Sequence, residues 1–149
     1  MESKQMGSSG SDARPSALRI WVPPCGIATL ILLISSTPGA YYPEHPDFLN
    51  DLVHFMEFGL LGLLLARALY TGFTLTKVNL FLLTTAICAT FGLLDEVHQF
   101  LVPARIFDLM DLVFDSLGAA VGSGVFIFYS SLKGDSSNAR ATSIGDMDD

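Results

Sequence analysis

The hydrophobic positions of this chain fall into four long blocks separated by shorter polar segments. Apolar residues dominate at about residues 18–36, 51–70, 77–100 and 108–132. Each block has roughly the 20 residues that an α-helix needs to cross the hydrocarbon core of a bilayer. Helices suit that environment because they satisfy their own backbone hydrogen bonds. The pattern therefore predicts an all-α integral membrane protein, a four-helix bundle that passes several times through a cell membrane.

Polar tails flank the four blocks. Residues 1–17 are rich in Ser and Gly and show no periodicity, and residues 133–149 are polar and acidic. Segments of this kind bury too little apolar surface to fold alone. We expect both tails to be disordered, which leaves residues 18–132 as the transmembrane domain.

The first block has two interpretations. Its strictly apolar part is short, and Pro23 and Pro24 stand near its start, where the first turn of a helix tolerates them. Arg14 and Arg19, followed by "GIATLILLI", would also fit the basic and apolar regions of a signal peptide. The sequence leaves open whether this block is a permanent span or a signal sequence.

Composition agrees with a membrane protein and argues against other classes. Half of the 149 residues are hydrophobic, 15% are charged, and the mean hydropathy is +0.48, which is unusual for a soluble domain. The chain has no glycine-rich phosphate loop, no HExxH motif and no basic patch, so we expect membrane lipids and no nucleic acid as partners. Cys25 and Cys88 lie in apolar blocks outside any CxxC pair, which predicts buried free thiols.

Basic residues are distributed unevenly about the predicted spans. One side of the membrane receives only Arg105. The side that holds both termini receives Lys4, Arg14, Arg19, Arg67, Lys77, Lys133 and Arg140. An excess of Lys and Arg marks the cytoplasmic side. We therefore predict that both termini are cytoplasmic.

Acidic residues outside the tails show the opposite distribution. All of them fall at the predicted outer end of the bundle, as do the three histidines. They are Glu44, Asp47, Asp51, Glu57, Asp95, Glu96, Asp108, Asp111 and Asp115, together with His45, His54 and His98. The outer end of the bundle is therefore the candidate site.

Helical spacing predicts toward which side of the helix the polar side chains of the second and third blocks point. His54 and Glu57 are three residues apart and share a helix face. On the third block, one stripe contains Cys88, Gly92, Asp95, His98 and Gln99. A charged side chain costs about 2.5–3.5 kcal/mol at the centre of a membrane helix, so these groups should face the bundle interior.

The fourth block combines an acidic stripe with a packing motif. Asp108, Asp111 and Asp115 continue along one face into Gly118 and Gly122. A Gly-x-x-x-Gly pattern marks close contact between membrane helices. The acids on this face should therefore point toward a neighbouring helix rather than toward lipid.

These positions predict one connected cluster near the outer membrane face. Its expected members are Glu57, Asp95, Glu96, Arg105 and Asp111, with His54, His98 and Gln99 along its edge. The four acids are candidate catalytic groups, as general acids or bases. The candidate ligand-binding residues are His54, His98, Gln99, Arg105 and Asp108, and Arg105 has the planar donors that suit an anionic headgroup.

A metal site is a further interpretation of the same residues. Carboxylates and imidazoles on facing helices are the usual metal ligands of helical bundles. The candidates are His54, Glu57, Asp95, Glu96, His98, Asp108 and Asp111. The sequence decides neither the metal nor any other cofactor, and a polar network that only pins the helices in register is equally compatible with it.

Three segments of the chain resemble the VanZ-like family. They are "SSTPG" after the first block, "HFMEFGLLGLLLARAL" in the second, and "DEVHQFLVPARIFDLMDLVFDSLGAAVG" across the third and fourth. The resemblance covers about residues 20–130. It implies a small polytopic membrane protein of the bacterial envelope. The family takes its name from a member associated with teicoplanin resistance, and its biochemical activity is not established.

Matched residue by residue, the resemblance implies functional roles for several of the candidates. His54 and Glu57 match the family's His-x-x-Glu element, Asp95, Glu96, Gln99 and Arg105 match its central motif, and Asp111 matches the acid that opens the last helix. The chain departs from the family at three places. Asn50-Asp51 stands where many members have Asp-Lys, Ala104 where Gly is usual, and Asp115 where Asn is frequent. The first departure removes a cation and puts in doubt any mechanism that needs it.

Two function classes remain open at this point. In one, the protein is an envelope enzyme that acts on a lipid-linked substrate at the outer leaflet. In the other, it is a non-catalytic membrane module that binds a lipid, a lipid-linked envelope precursor or a glycopeptide, with a link to glycopeptide resistance. The sequence specifies neither the ligand nor the oligomeric state.

Overall fold

A computed structural model describes the backbone of residues 16–38 and 47–145, and the side chains of residues 16–38 and 48–133. The predicted N-terminal tail up to residue 15 lies outside the described residues. So do Glu44, His45 and the side chain of Asp47, which we had placed at the outer end of the bundle.

Four α-helices make up the described part of the chain. They are α1 (Ala17–Ser35), α2 (Asp47–Gly72), α3 (Lys77–Phe100) and α4 (Leu109–Gly145). Each contains a segment long and apolar enough to cross a membrane. No strand occurs among the described residues. The prediction of an all-α bundle with four candidate spans is confirmed.

Local capping explains where two of the helices begin. Before α3, the side chain of Thr76 accepts a hydrogen bond from the backbone N–H of Asn79 at 3.2 Å. Before α4, Asp108 Oδ1 accepts one from the N–H of Met110 at 2.8 Å. Such caps satisfy the N–H groups that the first turn of a helix leaves without partners. Asp108 therefore lies just before α4 rather than on its acidic stripe.

The ends of α2 and α4 differ from the predicted boundaries. Helix α2 begins at Asp47, four residues before the predicted start. Helix α4 continues to Gly145, although we expected a disordered tail from residue 133. No proline occurs between residues 133 and 145, so the sequence contains no strong local stop there.

Helices α2 and α4 run in the same direction and pack at very short distance. A Cβ atom added at Gly118 would overlap the carbonyl oxygen of Phe55, and one at Gly122 would overlap that of Gly59. A Cβ at Gly62 would lie 2.5 Å from the carbonyl oxygen of Ala119. Only glycine allows backbones to approach so closely. The predicted contact of Gly118 and Gly122 with a neighbouring helix is confirmed, and the neighbour is α2.

The outer surface of the bundle is largely apolar. Large hydrophobic side chains such as Leu82, Leu94 and Phe128 are exposed on α3 and α4. This arrangement is expected where lipid replaces water as the surroundings.

The two cysteines are both free but differ in their environment. Cys88 is buried, as predicted, whereas Cys25 is exposed. The buried face of α1 contains Pro24, Ile31 and Ser35. Cys25 follows Pro24 directly and is turned about 100° away from that face by the helical repeat. The prediction that Cys25 is buried is therefore wrong.

Candidate polar site at one end of the bundle

Six buried side chains that carry an ionisable or amide group gather at one end of the bundle. This end contains the C-termini of α1 and α3 and the N-termini of α2 and α4. We call the group the polar cluster. Its members are His54, Asp95, Glu96, Gln99, Asp111 and Asp115.

His54 lies between α2 and α4, near the N-terminal ends of both helices. Its Nδ1 is 3.0 Å from Asp115 Oδ1, and its Nε2 is 3.6 Å from Asp111 Oδ2. Asn50, one helical turn earlier on α2, donates a hydrogen bond from Nδ2 to Asp111 Oδ1 at 2.8 Å. The imidazole ring is therefore held between two carboxylates of α4. We had placed His54 at the edge of the cluster, whereas it lies between its acids.

Gly92 makes room for the carboxylate of Asp115. A Cβ atom at position 92 would lie 2.7 Å from Asp115 Oδ2 and 3.2 Å from Asp115 Cβ. The side chain of Asp115, which is fully buried, thus packs directly on the backbone of α3. Gly92 belongs to the stripe that periodicity identified, and this contact gives the reason for a glycine there.

A second set of hydrogen bonds connects α1 to α3. Asp95 Oδ2 accepts from Ser35 Oγ at 2.7 Å and from Gln99 Nε2 at 3.0 Å. Gln99 Nε2 also lies 3.3 Å from Ser35 Oγ. All three side chains are buried. Asp95 and Gln99 therefore lie together in the bundle interior, as their shared helix face predicted.

Glu96 connects α3 to the start of α4. Its Oε2 accepts a hydrogen bond from the backbone N–H of Asp108 at 2.9 Å, and its side chain is fully buried. The predicted ligand-binding residue Asp108 thus contributes a backbone donor to the cluster, while its own carboxylate caps α4.

His98 lies outside the centre of the cluster, next to the end of α1. Its Nε2 is 3.0 Å from Ser36 Oγ. The same hydroxyl donates to the carbonyl oxygen of Leu32 at 2.6 Å. Ser36 Oγ therefore lies between the imidazole of His98 and the carbonyl oxygen of Leu32.

Glu57 and Arg105 lie beside the polar cluster. Glu57 is half-buried and within electrostatic range of His54, Asp95, Asp115 and Arg105. It takes part in none of the hydrogen bonds described above. Arg105 is half-buried in the connection between α3 and α4. Its backbone N–H donates a hydrogen bond to the carbonyl oxygen of Val102 at 3.2 Å. The connected cluster that we predicted around Arg105 remains a prediction.

Several buried carboxylate oxygens of the cluster have no hydrogen-bond partner among the described residues. They are Asp95 Oδ1, Glu96 Oε1 and Asp115 Oδ2. A buried polar atom without a partner costs about 1–3 kcal/mol, and more when it is charged. These oxygens give the cluster spare capacity to accept hydrogen bonds or to bind a cation.

Three residues of the cluster lie close enough to one another to bind a single metal ion. His54, Glu96 and Asp111 each offer one ligand atom, and these atoms lie within 4.8 Å of one another. The candidate ligands Glu57, Asp95, His98 and Asp108 are not part of this group.

Sequence reasoning missed three residues that organise the site. Asp115 was noted on the acidic stripe, Asn50 was noted only as a departure from the family pattern, and Ser35 appeared only as the first residue of "SSTPG"; none of them was named as a site residue. Asp115 could have been found from its position one helical turn after Asp111. For Asn50 and Ser35 helical spacing contains no such signal, because their contacts depend on the register between separate helices.

Comparison with known proteins gave one match. A family model described as VanZ/LLP1 matches residues 11–130, which is most of the chain. Neither a search of curated proteins nor a search of solved structures found a match.

Proposed function

The chain belongs to the VanZ/LLP1 family, and we propose that its polar cluster binds the polar headgroup of a lipid-linked ligand of the cell envelope. The chain is a multi-pass membrane protein with four apolar helices. In the proposal, the cluster lies at the extracytoplasmic end of the bundle and both termini lie in the cytoplasm. The observation that supports this orientation is the excess of Lys and Arg at the opposite end.

One observation carries the proposed binding function. Asp95, Glu96 and Asp115 are fully buried, and each has an oxygen without a partner among the described residues. Ionisable groups within membrane helices are costly and usually mark a functional site. A headgroup that contains hydroxyl, amide or amine groups would donate hydrogen bonds to these oxygens and so offset part of that cost.

Arg105 supplies the complementary group for the anionic part of such a ligand. It is the basic residue that the sequence places at the same end as the acids. A guanidinium can bind the oxygens of a phosphate with two parallel hydrogen bonds. A lipid-linked envelope precursor, which has a phosphate next to a sugar or peptide, offers both kinds of group. A glycopeptide is the other ligand that the family's name suggests.

A binding measurement on the full chain tests this proposal. The protein would be reconstituted in vesicles of neutral lipid, and binding of a polyprenyl pyrophosphate would be measured by native mass spectrometry. Arg105→Ala should weaken binding at least about tenfold, because a hydrogen bond to a charged group contributes roughly 1.5–3 kcal/mol. Arg67→Ala is the matched control, because Arg67 is exposed near the other end of α2. Equal affinity of the two variants, or no binding by the wild type, would contradict the proposal.

A structural role for the cluster is the second candidate. The contacts among Ser35, Asp95 and Gln99 connect α1 to α3, and this observation favours a network that fixes helix register. Asp95→Asn separates the two roles. If the variant loses stability and binding in the same proportion, the network is structural, whereas lost binding at unchanged stability supports a ligand site.

A further inference from the structure

We propose that His54, Glu96 and Asp111 form a binding site for one divalent transition-metal ion, with Asp115 as the group that orients the histidine. The proposal deepens the function proposed above, since a bound cation would let an acidic site accept a phosphate-bearing headgroup. The metal site itself rests on the geometry of its three ligands and, in common with that function, on the unpartnered oxygen of Glu96.

Each of the three proposed ligands makes a hydrogen bond through one polar atom, and each has a second nitrogen or oxygen that could bind a metal ion. His54 is held at Nδ1 by Asp115, at 3.0 Å. Asp111 is held at Oδ1 by Asn50, at 2.8 Å, and Glu96 is held at Oε2 by the N–H of Asp108, at 2.9 Å. Metal ligands are typically oriented in this way by the residues around them.

The distances between ligand atoms of the three residues suit a shared ion. His54 Nε2 lies 3.6 Å from Asp111 Oδ2, too far for a good hydrogen bond. Two ligands of a tetrahedral ion at about 2.0–2.1 Å are separated by about 3.4 Å. The ligand atoms of all three residues lie within 4.8 Å of one another, so movements of a few tenths of an ångström to about 1 Å would complete the site. Three protein ligands are also the number found in metal sites that keep one position for water or substrate.

Glu96 provides an independent indication of a missing ligand. Its side chain is fully buried, yet Oε1 has no hydrogen-bond partner among the described residues. A buried carboxylate in this state is expensive unless a cation or donor meets it. A divalent cation would neutralise the charges of Glu96 and Asp111 together. Because imidazole and carboxylate suit transition metals such as Zn²⁺ and Mn²⁺, these ions are favoured over Ca²⁺.

The alternative occupant of this space is a proton. A doubly protonated His54 could pair with Asp111 and Asp115 without any metal. That arrangement would explain the two contacts of the imidazole, but it leaves Glu96 Oε1 unexplained. Measuring metal binding directly decides between them.

The test uses the full chain in detergent micelles, treated with a chelator and then titrated with Zn²⁺ or Mn²⁺ by calorimetry. We expect one ion per chain. His54→Ala, Glu96→Gln and Asp111→Asn should each weaken binding by at least tenfold. Asp115→Ala should weaken it about 10- to 100-fold, as is typical for residues that orient a metal ligand. Asp51→Asn is the matched control, because Asp51 is a half-buried acid at the same end of α2 outside the group.

A spectroscopic measurement covers the case in which a variant does not fold. Co²⁺ bound to the wild-type protein should give the strong visible absorption of a low-coordinate site, and Zn²⁺ should displace it. If no ion binds, or if Asp51→Asn weakens binding as much as Glu96→Gln, the metal site is refuted. Headgroup binding that persists in chelator would refute the role of the ion in headgroup binding and leave the function proposed above standing. One bound ion without headgroup binding would refute the function proposed above and leave the metal site standing.

Discussion

The close approach of α2 and α4 at Gly122 predicts a measurable penalty for a single added methyl group. In Gly122→Ala the new Cβ would overlap the carbonyl oxygen of Gly59. It would also lie 2.8 Å from the carbonyl carbon of Gly59 and 3.0 Å from the backbone nitrogen of Leu63. All three are backbone atoms, so no side-chain rotation relieves the contact. Since carbon atoms pack best at about 3.5–4.0 Å, α2 and α4 would have to separate by roughly 1 Å.

The matched control is Gly124→Ala on the same helix. A Cβ at position 124 would meet nothing within 4 Å. Both substitutions exchange glycine for alanine inside a helix and gain about 1 kcal/mol of helix propensity. That gain cancels when the two variants are compared, which leaves the cost of overpacking, about 1–3 kcal/mol. Gly122→Ala should therefore be less stable than Gly124→Ala by that amount, and Gly122→Leu should be less stable still.

Reversible unfolding of the purified protein in mixed micelles measures this difference. Far-UV circular dichroism reports the helices, and Trp21, the single tryptophan, gives a second signal from α1. If Gly122→Ala and Gly124→Ala unfold at the same denaturant concentration, α2 and α4 do not approach as closely as the structure indicates. The argument from backbone contact would then fail.

Two further predictions concern the connections between the helices. Ala104 has a φ of 60°, a left-handed conformation that costs L-residues with a Cβ about 1–2 kcal/mol. Ala104→Gly should therefore stabilise the protein by about 0.5–1 kcal/mol in the same unfolding assay. This figure allows for the greater entropy of a glycine in the unfolded chain. A loss of stability would contradict the left-handed backbone conformation at position 104. For topology, reporter fusions after Thr74 and after Ala104 should report cytoplasmic and extracytoplasmic positions respectively, and the reverse pattern would place the polar cluster in the cytoplasm.

Local patterns made much of the fold predictable. The third helix was predicted over residues 77–100, which are its limits in the structure. Thr76 supplies a cap at its start, and its apolar length is long enough to span a membrane. The buried stripe was also predictable, because the 3.6-residue repeat depends only on positions along one helix. Asp95 and Gln99 are buried as that repeat requires.

Partners between helices were much harder to predict. We predicted that Glu57, three residues along the same helix, shares a face with His54 and that His54 lies at the edge of the cluster. The structure instead pairs it with Asp111 and Asp115 of α4. Three residues correspond to a rotation of about 300°, so Glu57 is offset by about 60° from His54 and lies beside the cluster. Which acid reaches His54 depends on the register between α2 and α4, and helical periodicity contains no information about that register.

The glycine contacts and the polar cluster are therefore parts of one arrangement. Gly118 and Gly122 fix the separation of α2 and α4 and also their register along the membrane normal. Toward the end of the bundle, the same register places Asp115 beside His54 and Asp111 beside Asn50. The hydrogen bonds of the cluster tolerate errors of only a few tenths of an ångström. A shift of roughly 1 Å at Gly122 would consequently loosen the site while the bundle is still folded, because the packing stripe and the acidic stripe lie on the same face of α4.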